Sequence, residues 1–534
     1  MQFNILDANE MAEEKAKILW IDDEIELLKP HIILLEQRGY HVNTSTNGED
    51  AIEMVRGTHY GLIFLDESMV GMSGLDTLPL LKQIDPVTPV VMVTKNEAES
   101  LMEEALGSKI DDYLTKPVNP AQILAACKKF IESERITQER LTQDYLVGFN
   151  EIRSKMMDRL DWQDWKEIFE KLVKWSIELD RHPELGFLST LEDQWRECNV
   201  QFSKFIEDNY QYWVENENNA DVPIMSPHIN DKYLLPLLKT GKPTVFFVID
   251  CLRADQWLVI SELLSPYFSF DLDYYLSIIP TATPYARNAI FSGLFPIDIQ
   301  KYYPQWWLGE PYDESHKQNA YEKELLEEYI SRRRLKLKNN FTYLKIHETE
   351  FGKRVESDIK RLAKQHLTAI VVNAVDMIAH SRSDYAILKE IAPDEAAYRS
   401  LTRSWFQHSS LFGMLKQLAE MKDVQILLTT DHGSIRCMRG VKVLGDRDTT
   451  TCLRYKFGRN VKADERHAIQ LKELQKFKLP KAGVTVNNII AKEDYYFVYP
   501  TDYHHYLQRY RDSFQHGGVS LEEMIIPIVN LKQR

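Results

Sequence analysis

Short apolar runs that end in an acidic residue recur along this chain, and they constrain its fold more than any other feature. KILWIDD and GLIFLDE lie in the N-terminal part, and KPTVFFVID, TAIVVNAVD and VQILLTTD lie in the C-terminal half. Uninterrupted apolar runs of this length are typical of strands that are buried on both faces of a parallel sheet. Because reactive groups collect at the carboxyl ends of such strands, the pattern predicts acidic sites at sheet edges.

The order of these segments predicts several domains. The chain has 534 residues, which is more than one hydrophobic core normally supports. Residues 17–130 alternate strand-like and amphipathic segments, whereas residues 131–235 carry tryptophans and many charges at helical spacing. A second and larger α/β region opens near residue 241. The predicted fold is an α/β multidomain one, with an N-terminal (βα)5 domain, a central helical bundle and a C-terminal α/β domain.

Composition excludes several classes of protein. The net charge of −15 argues against broad binding to long nucleic acid. No apolar run reaches the ~20 residues of a membrane span, and the N-terminus lacks the pattern of a signal peptide. The five cysteines are scattered without CxxC spacing, which favours a reducing compartment. We therefore expect a cytoplasmic protein without membrane insertion.

The N-terminal domain carries a set of polar residues that follow its strand-like runs: Asp22, Asp23, Asp66, Thr94 and Lys116. With these residues the segment resembles the receiver domain of bacterial two-component response regulators. The resemblance implies that Asp66 accepts a phosphoryl group and that Asp22, Asp23 and Asp66 hold Mg²⁺, which prefers oxygen ligands.

The resemblance also assigns the residues of a receiver switch. Lys116 would neutralise the charge that develops during transfer, and Thr94 would hydrogen-bond the new phosphate. Tyr113, three residues before Lys116, is placed as the aromatic side chain that moves in the same switch. The Lys116–Pro117 bond is a candidate cis peptide bond.

The C-terminal half carries a second ordered set of polar residues: Asp250, Thr281, Thr283, Asp376, His380, Asp431, His432 and His516. The order resembles that of the alkaline phosphatase superfamily and, within it, the PglZ-type domain. Together with a receiver domain, it resembles the PorX-type response regulators that are linked to type IX secretion.

By this resemblance, two metal ions would share the ligands. One ion would take Asp376, His380 and His516. The other would take Asp250, Asp431, His432 and the nucleophile, according to their positions in the superfamily pattern. Mixed imidazole and carboxylate ligands suit Zn²⁺, or Mn²⁺ if oxygen ligands dominate.

The resemblance leaves the nucleophile and the substrate contacts open. Thr283 fits best by its spacing to the following Ser-Gly pair, and Thr281 is the reserve candidate. Arg287 or Arg253 would contact an oxygen of the phosphate, and the alternative for each is a structural arginine.

The predicted domain boundaries follow from these segments. We predict an N-terminal extension at 1–14, a receiver domain at 15–133, a helical bundle at 134–238 and a PglZ or alkaline phosphatase-like domain at 239–534. The charged stretch 440–480 is predicted to be a surface loop region.

The leading interpretation is a response regulator phosphorylated on Asp66 whose C-terminal domain is a zinc-dependent phosphodiesterase of small linear or cyclic oligonucleotides. The expected partners are a sensor histidine kinase, a sigma factor as a further candidate, and a second copy of the chain after phosphorylation. The alternative is a signalling scaffold with a structural zinc site, whose output is binding to the sigma factor or the kinase. A DNA-binding regulator is disfavoured, because no basic helix-turn-helix pattern follows the receiver segment.

Overall fold

A computed structural model describes residues 17–95, 110–307, 319–337, 341–445, 452–480 and 486–534. The predicted extension at 1–14 lies outside the described residues. The chain folds as two compact units, which divide between Leu146 and Val147. Each unit has its own sheet and its own acidic site.

The first unit contains a parallel sheet with strand order β2-β1-β3-β4-β5. Its strands are β1 (Lys17–Ile21), β2 (His41–Ser45), β3 (Leu62–Asp66), β4 (Val90–Thr94) and β5 (Asp112–Thr115). Its described α-helices are Lys29–Gln37, Gly48–Gly57, Gly74–Ile84, Pro120–Cys127 and Ser133–Lys155, the last of which runs past Leu146. This arrangement confirms the predicted receiver fold.

Strand β1 shows why this sheet must be covered on both faces. Ile18 and Trp20 belong to one apolar cluster, whereas Leu19 and Ile21 belong to another. Successive side chains of a strand point to opposite faces, so a run without polar residues requires apolar partners on both sides.

The second unit begins with long helices that form the predicted helical region. The helices Trp162–Arg181 and Leu188–Glu215 contact each other. Trp165 and Trp213 are buried between the elements of this region and form part of its core. Asp161 begins the first of these helices with a capping box, satisfying backbone N–H groups that the helix cannot pair itself.

The second unit contains the larger, mixed sheet. The strands of this unit are β6 (Thr244–Ile249), β7 (Phe268–Leu276), β8 (Phe341–Ile346), β9 (Leu367–Val372), β10 (Gln425–Thr429), β11 (Ile435–Cys437), β12 (Arg439–Lys442), β13 (Tyr455–Arg459), β14 (Ala468–Leu471), β15 (Val486–Ala491), β16 (Tyr495–Val498), β17 (Ser513–Gln515) and β18 (Ile525–Gln533). The order of the main sheet is β7-β18-β10-β6-β9-β8. Strands β10, β6, β9 and β8 are parallel, and β18 runs antiparallel to both of its neighbours.

Helices cover both faces of this sheet. The further α-helices of the unit are Leu235–Lys239, Ala254–Leu264, Thr283–Ser292, Pro296–Tyr302, Glu322–Arg332, Thr349–Leu362, Ala374–Asp384, Ala386–Ile391, Glu395–Gln407, Ser410–Ala419, Tyr503–Tyr510 and Leu521–Met524. In β6, Val245 and Phe247 join the core on one face, and Phe246 and Val248 join the core on the other. The central strand is therefore fully buried, and its carboxyl end is held at a fixed position.

The prediction of a surface loop region at 440–480 is wrong in part. Strands β13 and β14 lie within it and pair on either side of β15 in a small antiparallel sheet. These strands are short and carry polar residues such as Lys456 and Gln470, so they lack the apolar runs that revealed the main sheet.

Candidate metal centres

Three neighbouring strands of the main sheet bring the acidic residues of the second unit together. Asp250 follows β6, and Asp431 comes two residues after the end of β10. Asp376 lies in the first turn of the helix that follows β9. Because β10, β6 and β9 are adjacent and parallel, their carboxyl ends meet at one edge of the sheet.

The first cluster consists of Asp250, Asp431 and His432, all of them buried. The His432 Nε2 atom lies 3.8 Å from Asp250 Oδ1 and 3.8 Å from Asp431 Oδ2. Thr283 faces the same point, with its Oγ1 atom 3.1 Å from His432 Nε2 and 3.4 Å from Asp250 Oδ1. A hydroxyl group and three potential metal ligands therefore converge.

The second cluster consists of Asp376, His380 and His516. Asp376 Oδ1 lies 3.3 Å from His380 Nε2 and 3.6 Å from His516 Nε2. Asp376 and His380 share one face of a helix because they are four residues apart. The His380 side chain is 49% exposed, so this cluster is open to solvent.

The two clusters are neighbours. The rings of His432 and His516 stack, with their centroids 4.3 Å apart and their planes at 20°. The structure thus brings together all seven residues that the sequence analysis assigned to two metal ions, Thr283 included.

The two candidate threonines differ in what their hydroxyl groups contact. Thr281 is fully buried, and its hydroxyl donates to the Gly518 carbonyl at 2.7 Å and accepts from the Gly517 N–H at 3.1 Å. Its hydroxyl therefore ties two loops together, whereas the hydroxyl of Thr283 faces the first cluster.

Backbone carbonyls orient two of the imidazoles. His432 Nδ1 lies 3.0 Å from the Gly433 carbonyl, and His516 Nδ1 lies 3.3 Å from the Thr281 carbonyl. If each Nδ1 carries the proton and donates it to its carbonyl, each Nε2 presents a lone pair to its cluster.

The charges of the site follow from burial and from its close neighbours. Burial, together with the nearby His432, lowers the pKa of His516 to about 3, and burial also lowers the pKa of His432. Burial raises the pKa of Asp250 and of Asp431, although Arg287 opposes the shift in both. Burial acts in the same direction on Asp376, but the close His380 imidazole and the other neighbouring imidazoles lower its pKa overall.

Two atoms of the clusters support metal binding. Asp376 Oδ1 and Asp431 Oδ2 are buried and accept no hydrogen bond from the described residues. Buried carboxylate oxygens are normally satisfied, so a missing partner at a cluster of imidazoles and carboxylates is what a cation would supply. The mixed donors fit a transition-metal ion such as Zn²⁺.

Arg287 lies behind the first cluster. Its guanidinium is buried, with Nη1 2.8 Å from Asp250 Oδ2 and Nε 2.6 Å from Glu322 Oε1. This arrangement differs from the predicted contact with a substrate phosphate, because two carboxylates already hold the group. Arg253 is likewise buried and held, in its case by Asp255 and Glu395.

Glu322 was missed by the sequence analysis. It lies in EKELLEEY, where an acidic residue resembles the many exposed ones of a surface helix, and no spacing to another motif marks it. Only the tertiary structure reveals that it is buried beside Arg287.

Two aromatic residues that follow Asp250 and Thr283 along the chain are core residues. Trp257 is buried with an edge contact to Phe270, and Tyr285 is buried between Trp307 and Tyr455. Their rings stabilise the fold through burial and aromatic contacts.

The first unit has its own acidic cluster, which consists of Asp22, Asp23 and Asp66. The Lys116 ammonium lies 2.7 Å from Asp22 Oδ2 and 3.0 Å from Asp66 Oδ2. Burial raises the pKa of Asp66, and the hydrogen bond from Lys116 opposes this shift. An all-oxygen cluster beside an ammonium group suits Mg²⁺ and an incoming phosphoryl group.

The predicted switch residues lie around this cluster. Thr94 ends β4, and its hydroxyl donates to the carboxylate of Glu67, the residue after Asp66. Tyr113 is 39% exposed, and the Lys116–Pro117 bond is cis, as predicted.

Comparison with known families covers most of the chain. Residues 18–128 match the response regulator receiver domain, and residues 229–531 match the BREX system PglZ alkaline phosphatase-like domain. Residues 135–214 match the PorX response regulator linker domain. The chain belongs to the PorX-type response regulators. A PorX-type regulator thus combines a receiver domain with an alkaline phosphatase-like domain, as the sequence motifs predicted.

Curated relatives match this PorX-type regulator over its receiver domain. It is 32% identical over 130 residues to the transcriptional regulatory protein CpxR of Escherichia coli (strain K12), covering 24% of this chain and 54% of CpxR. It is also 32% identical to the alginate biosynthesis regulator AlgB of Pseudomonas aeruginosa, covering 24% of this chain and 28% of AlgB. The chain therefore spans about half or less of these relatives.

Solved structures also match over about a fifth of the chain. The response regulator DrrB of Thermotoga maritima is 31% identical, with 22% of this chain and 54% of DrrB covered and a TM-score of 0.21. A two-component response regulator of Clostridium difficile is 28% identical, with 22% of this chain and 97% of that chain covered and a TM-score of 0.21. Among the described helices of the PorX-type regulator, none has the length and apolarity needed to cross a membrane.

Proposed function

We propose that this chain is a metal-dependent phosphodiesterase controlled by phosphorylation of its receiver domain. The observation that carries the proposal is the position of the Thr283 hydroxyl, within 3.4 Å of both an aspartate and a histidine of one cluster and beside a second, solvent-open cluster. Hydroxyl nucleophiles need activation, and this is the environment that activates one.

The proposed ligands follow the two clusters. Asp250, Asp431, His432 and Thr283 would hold one zinc ion, and Asp376, His380 and His516 would hold the other. When bound, the ions would favour the ionised threonine and neutralise charge that develops on the phosphate oxygens.

The chain's own residues then prepare the attack. Thr283 is the first residue of the helix Thr283–Ser292, so the N-terminal end of the helix dipole favours negative charge at its oxygen. Thr283 Oγ1 would form a bond to phosphorus as the bond to the leaving oxygen breaks, and water would later release the remaining phosphomonoester and restore the Thr283 hydroxyl. Arg287 holds Asp250 in place during both steps.

We extend the proposal to small linear or cyclic oligonucleotides, the substrates that the PorX resemblance implies. A phosphodiester has a substituent on each side of the phosphorus and therefore needs an open approach. The exposure of His380 supports an opening on the side of the second cluster.

The control would come from the first unit. A sensor histidine kinase would supply the phosphoryl group to Asp66, with Mg²⁺ held by Asp22, Asp23 and Asp66. Lys116 would neutralise the charge of the transferred group. The Thr94 hydroxyl would give up its hydrogen bond to Glu67 and donate to the phosphate instead. Tyr113 would move with this switch, and a homodimer formed after phosphorylation would regulate type IX secretion.

A second candidate function is a signalling scaffold that binds a sigma factor or the kinase. It is favoured by the full burial of Asp250, Asp431 and His432, because structural zinc sites are closed. Under this hypothesis the zinc stabilises the fold and the site catalyses no reaction.

Metal analysis of the purified chain should give two zinc ions. Two further measurements then separate the enzyme from the scaffold. With the enzyme, a panel of mono- and diesters should show turnover of diesters. In cells, Thr283→Ala should abolish signalling if turnover is the output, whereas full signalling by this variant would favour the scaffold.

The proposed dimer has its own test. Sedimentation with and without beryllofluoride, which mimics the phosphoryl group, should show a doubled mass only with the analogue. An unchanged mass would count against phosphorylation-dependent dimerisation.

A further inference from the structure

Glu322 is a buried carboxylate beside the first cluster, but it belongs to neither candidate metal centre. It begins the helix Glu322–Arg332, and its two oxygens meet four side chains. These partners are Arg287, Asn319, Tyr343 and Lys345. A carboxylate so fully surrounded by donors holds each of them in a defined position.

One arm of this network reaches Asp250. Glu322 Oε1 accepts from Arg287 Nε at 2.6 Å, and Arg287 Nη1 lies 2.8 Å from Asp250 Oδ2. The guanidinium is planar and rigid, so fixing its Nε also fixes the direction of its Nη1. This leaves the other oxygen of Asp250, Oδ1, facing the Thr283 hydroxyl at 3.4 Å.

The other arm reaches the backbone of Thr283. Asn319 Nδ2 donates to Glu322 Oε1 at 3.1 Å and to the Thr283 carbonyl at 3.2 Å. Lys345 Nζ lies 3.1 Å from Glu322 Oε2 and donates to the Asn319 carbonyl at 3.1 Å. The residue that carries the nucleophile is therefore tied to the same carboxylate.

The charges agree with this arrangement. Burial would raise the pKa of Glu322, but Arg287 and Lys345 lower it overall, so the group is ionised at neutral pH. The negative charge of Glu322 balances the positive charge of Arg287 at its Nε atom, whereas the Nη1 atom faces Asp250 of the first cluster.

We propose that Glu322 is a positioning residue that sets both the metal-facing oxygen of Asp250 and the placement of Thr283. This inference rests on the proposed function, since it concerns the same nucleophile and the same ion. It predicts that Glu322 acts on one ion of the pair and leaves the Asp376, His380 and His516 cluster unchanged.

The direct test is Glu322→Gln in the full chain, with zinc affinities measured by competition against a chromophoric chelator. Loss of the direct partner of a ligand typically weakens metal binding by about 10–100-fold. Glu322 acts on Asp250 through Arg287, so one of the two ions should bind about 10-fold more weakly, at the low end of this range. The kcat for a diester should fall by a similar factor, while KM changes little. Glu327→Gln is the matched control, because Glu327 lies on the same helix and is half exposed beside Lys323.

A second variant separates the two arms. Asn319→Ala removes the contact to the Thr283 carbonyl and leaves Arg287 in place, so kcat should fall while both zinc affinities are kept. If Glu322→Gln does not fold, Glu322→Asp keeps the buried charge and should weaken the same single ion by a smaller factor.

The outcomes are distinct. Unchanged affinities, or an equal loss of both ions, would overturn the positioning role of Glu322. If the wild-type chain turns over no ester at all, the proposed function fails, but the split between the two zinc affinities still decides the role of Glu322.

Discussion

The acidic sites of the two units use one topology for different chemistry. Both lie at the carboxyl ends of parallel strands, and both collect aspartates. In the first unit the nearest cation is the Lys116 ammonium, which bonds to Asp22 and Asp66. In the second unit, imidazoles join the aspartates, and the arginine that balances them is buried behind Asp250.

The different side chains around the aspartates suit the two sites to different metal ions and different reactions. Carboxylates alone suit a hard ion such as Mg²⁺, and the compact charge of a lysine ammonium beside Asp66 suits a phosphoryl group. Neutral imidazoles suit zinc, and a fixed arginine keeps the ligands rigid around a hydroxyl. Under the proposed function, the first site receives a phosphoryl group and the second cleaves a phosphate ester.

The largest effect is expected when the proposed phosphoryl acceptor of the first site is removed. Asp66→Asn should abolish phosphorylation by acetyl phosphate with Mg²⁺, because the amide cannot form the acyl phosphate. Phosphate-affinity gels measure the effect. Glu53→Gln, an exposed residue of the same unit that pairs with Arg56, should be phosphorylated normally. Equal phosphorylation of wild type and Asp66→Asn would assign the acceptor elsewhere.

The next change removes the nucleophile of the second site. Thr283→Ala should lower kcat for a diester by about 10³-fold or more, as loss of a covalent nucleophile typically does. Zinc content and phosphorylation of Asp66 should stay unchanged. Thr281→Ser is the control, because serine keeps the hydroxyl that bonds to Gly517 and Gly518. If Thr283→Ala keeps the turnover of wild type, Thr283 is not the nucleophile and Thr281 takes its place as the candidate.

Much of this comparison could be predicted from the sequence, because acids at strand ends are a local signal. The buried run before Asp66 identified a strand of the first sheet, and the runs before Asp250 and Asp431 identified two strands of the second sheet. The choice between Thr281 and Thr283 could not be settled, since both follow the same cis Ile279–Pro280 bond within a few residues and only their partners differ.

Other features depend on contacts between distant segments. Arg287 was a candidate contact for a substrate phosphate, with a structural arginine as the alternative. In the structure its guanidinium contacts Glu322 and Asp250 instead. Glu322 lies 35 positions along the chain from Arg287 and shares no spacing rule with it. The small sheet of β13, β14 and β15 was missed because short polar strands resemble loops in sequence.

The smallest predicted effect concerns the pH dependence of stability, and it compares one acidic residue of each unit, Asp66 and Glu522. Asp66 has Lys116 at 3.0 Å, whereas the partly buried Glu522 has the Asn199 amide at 3.0 Å and no ion pair to any described residue. Burial raises the pKa of Glu522 to about 7 from an ordinary value of 4.5. The folded chain therefore binds an extra proton between these two values, and its stability falls as pH rises from 4.5 through 7.

Glu522→Gln should remove this dependence, because the amide can keep the bond to Asn199 and does not ionise. The free energy of unfolding in urea should exceed that of wild type by on the order of 3 kcal/mol at pH 8, and by less than about 1 kcal/mol at pH 5. Glu327→Gln, half exposed, should show no such change. A difference between Glu522→Gln and wild type that stays constant from pH 5 to pH 8 would mean that Glu522 is ionised in the folded chain throughout.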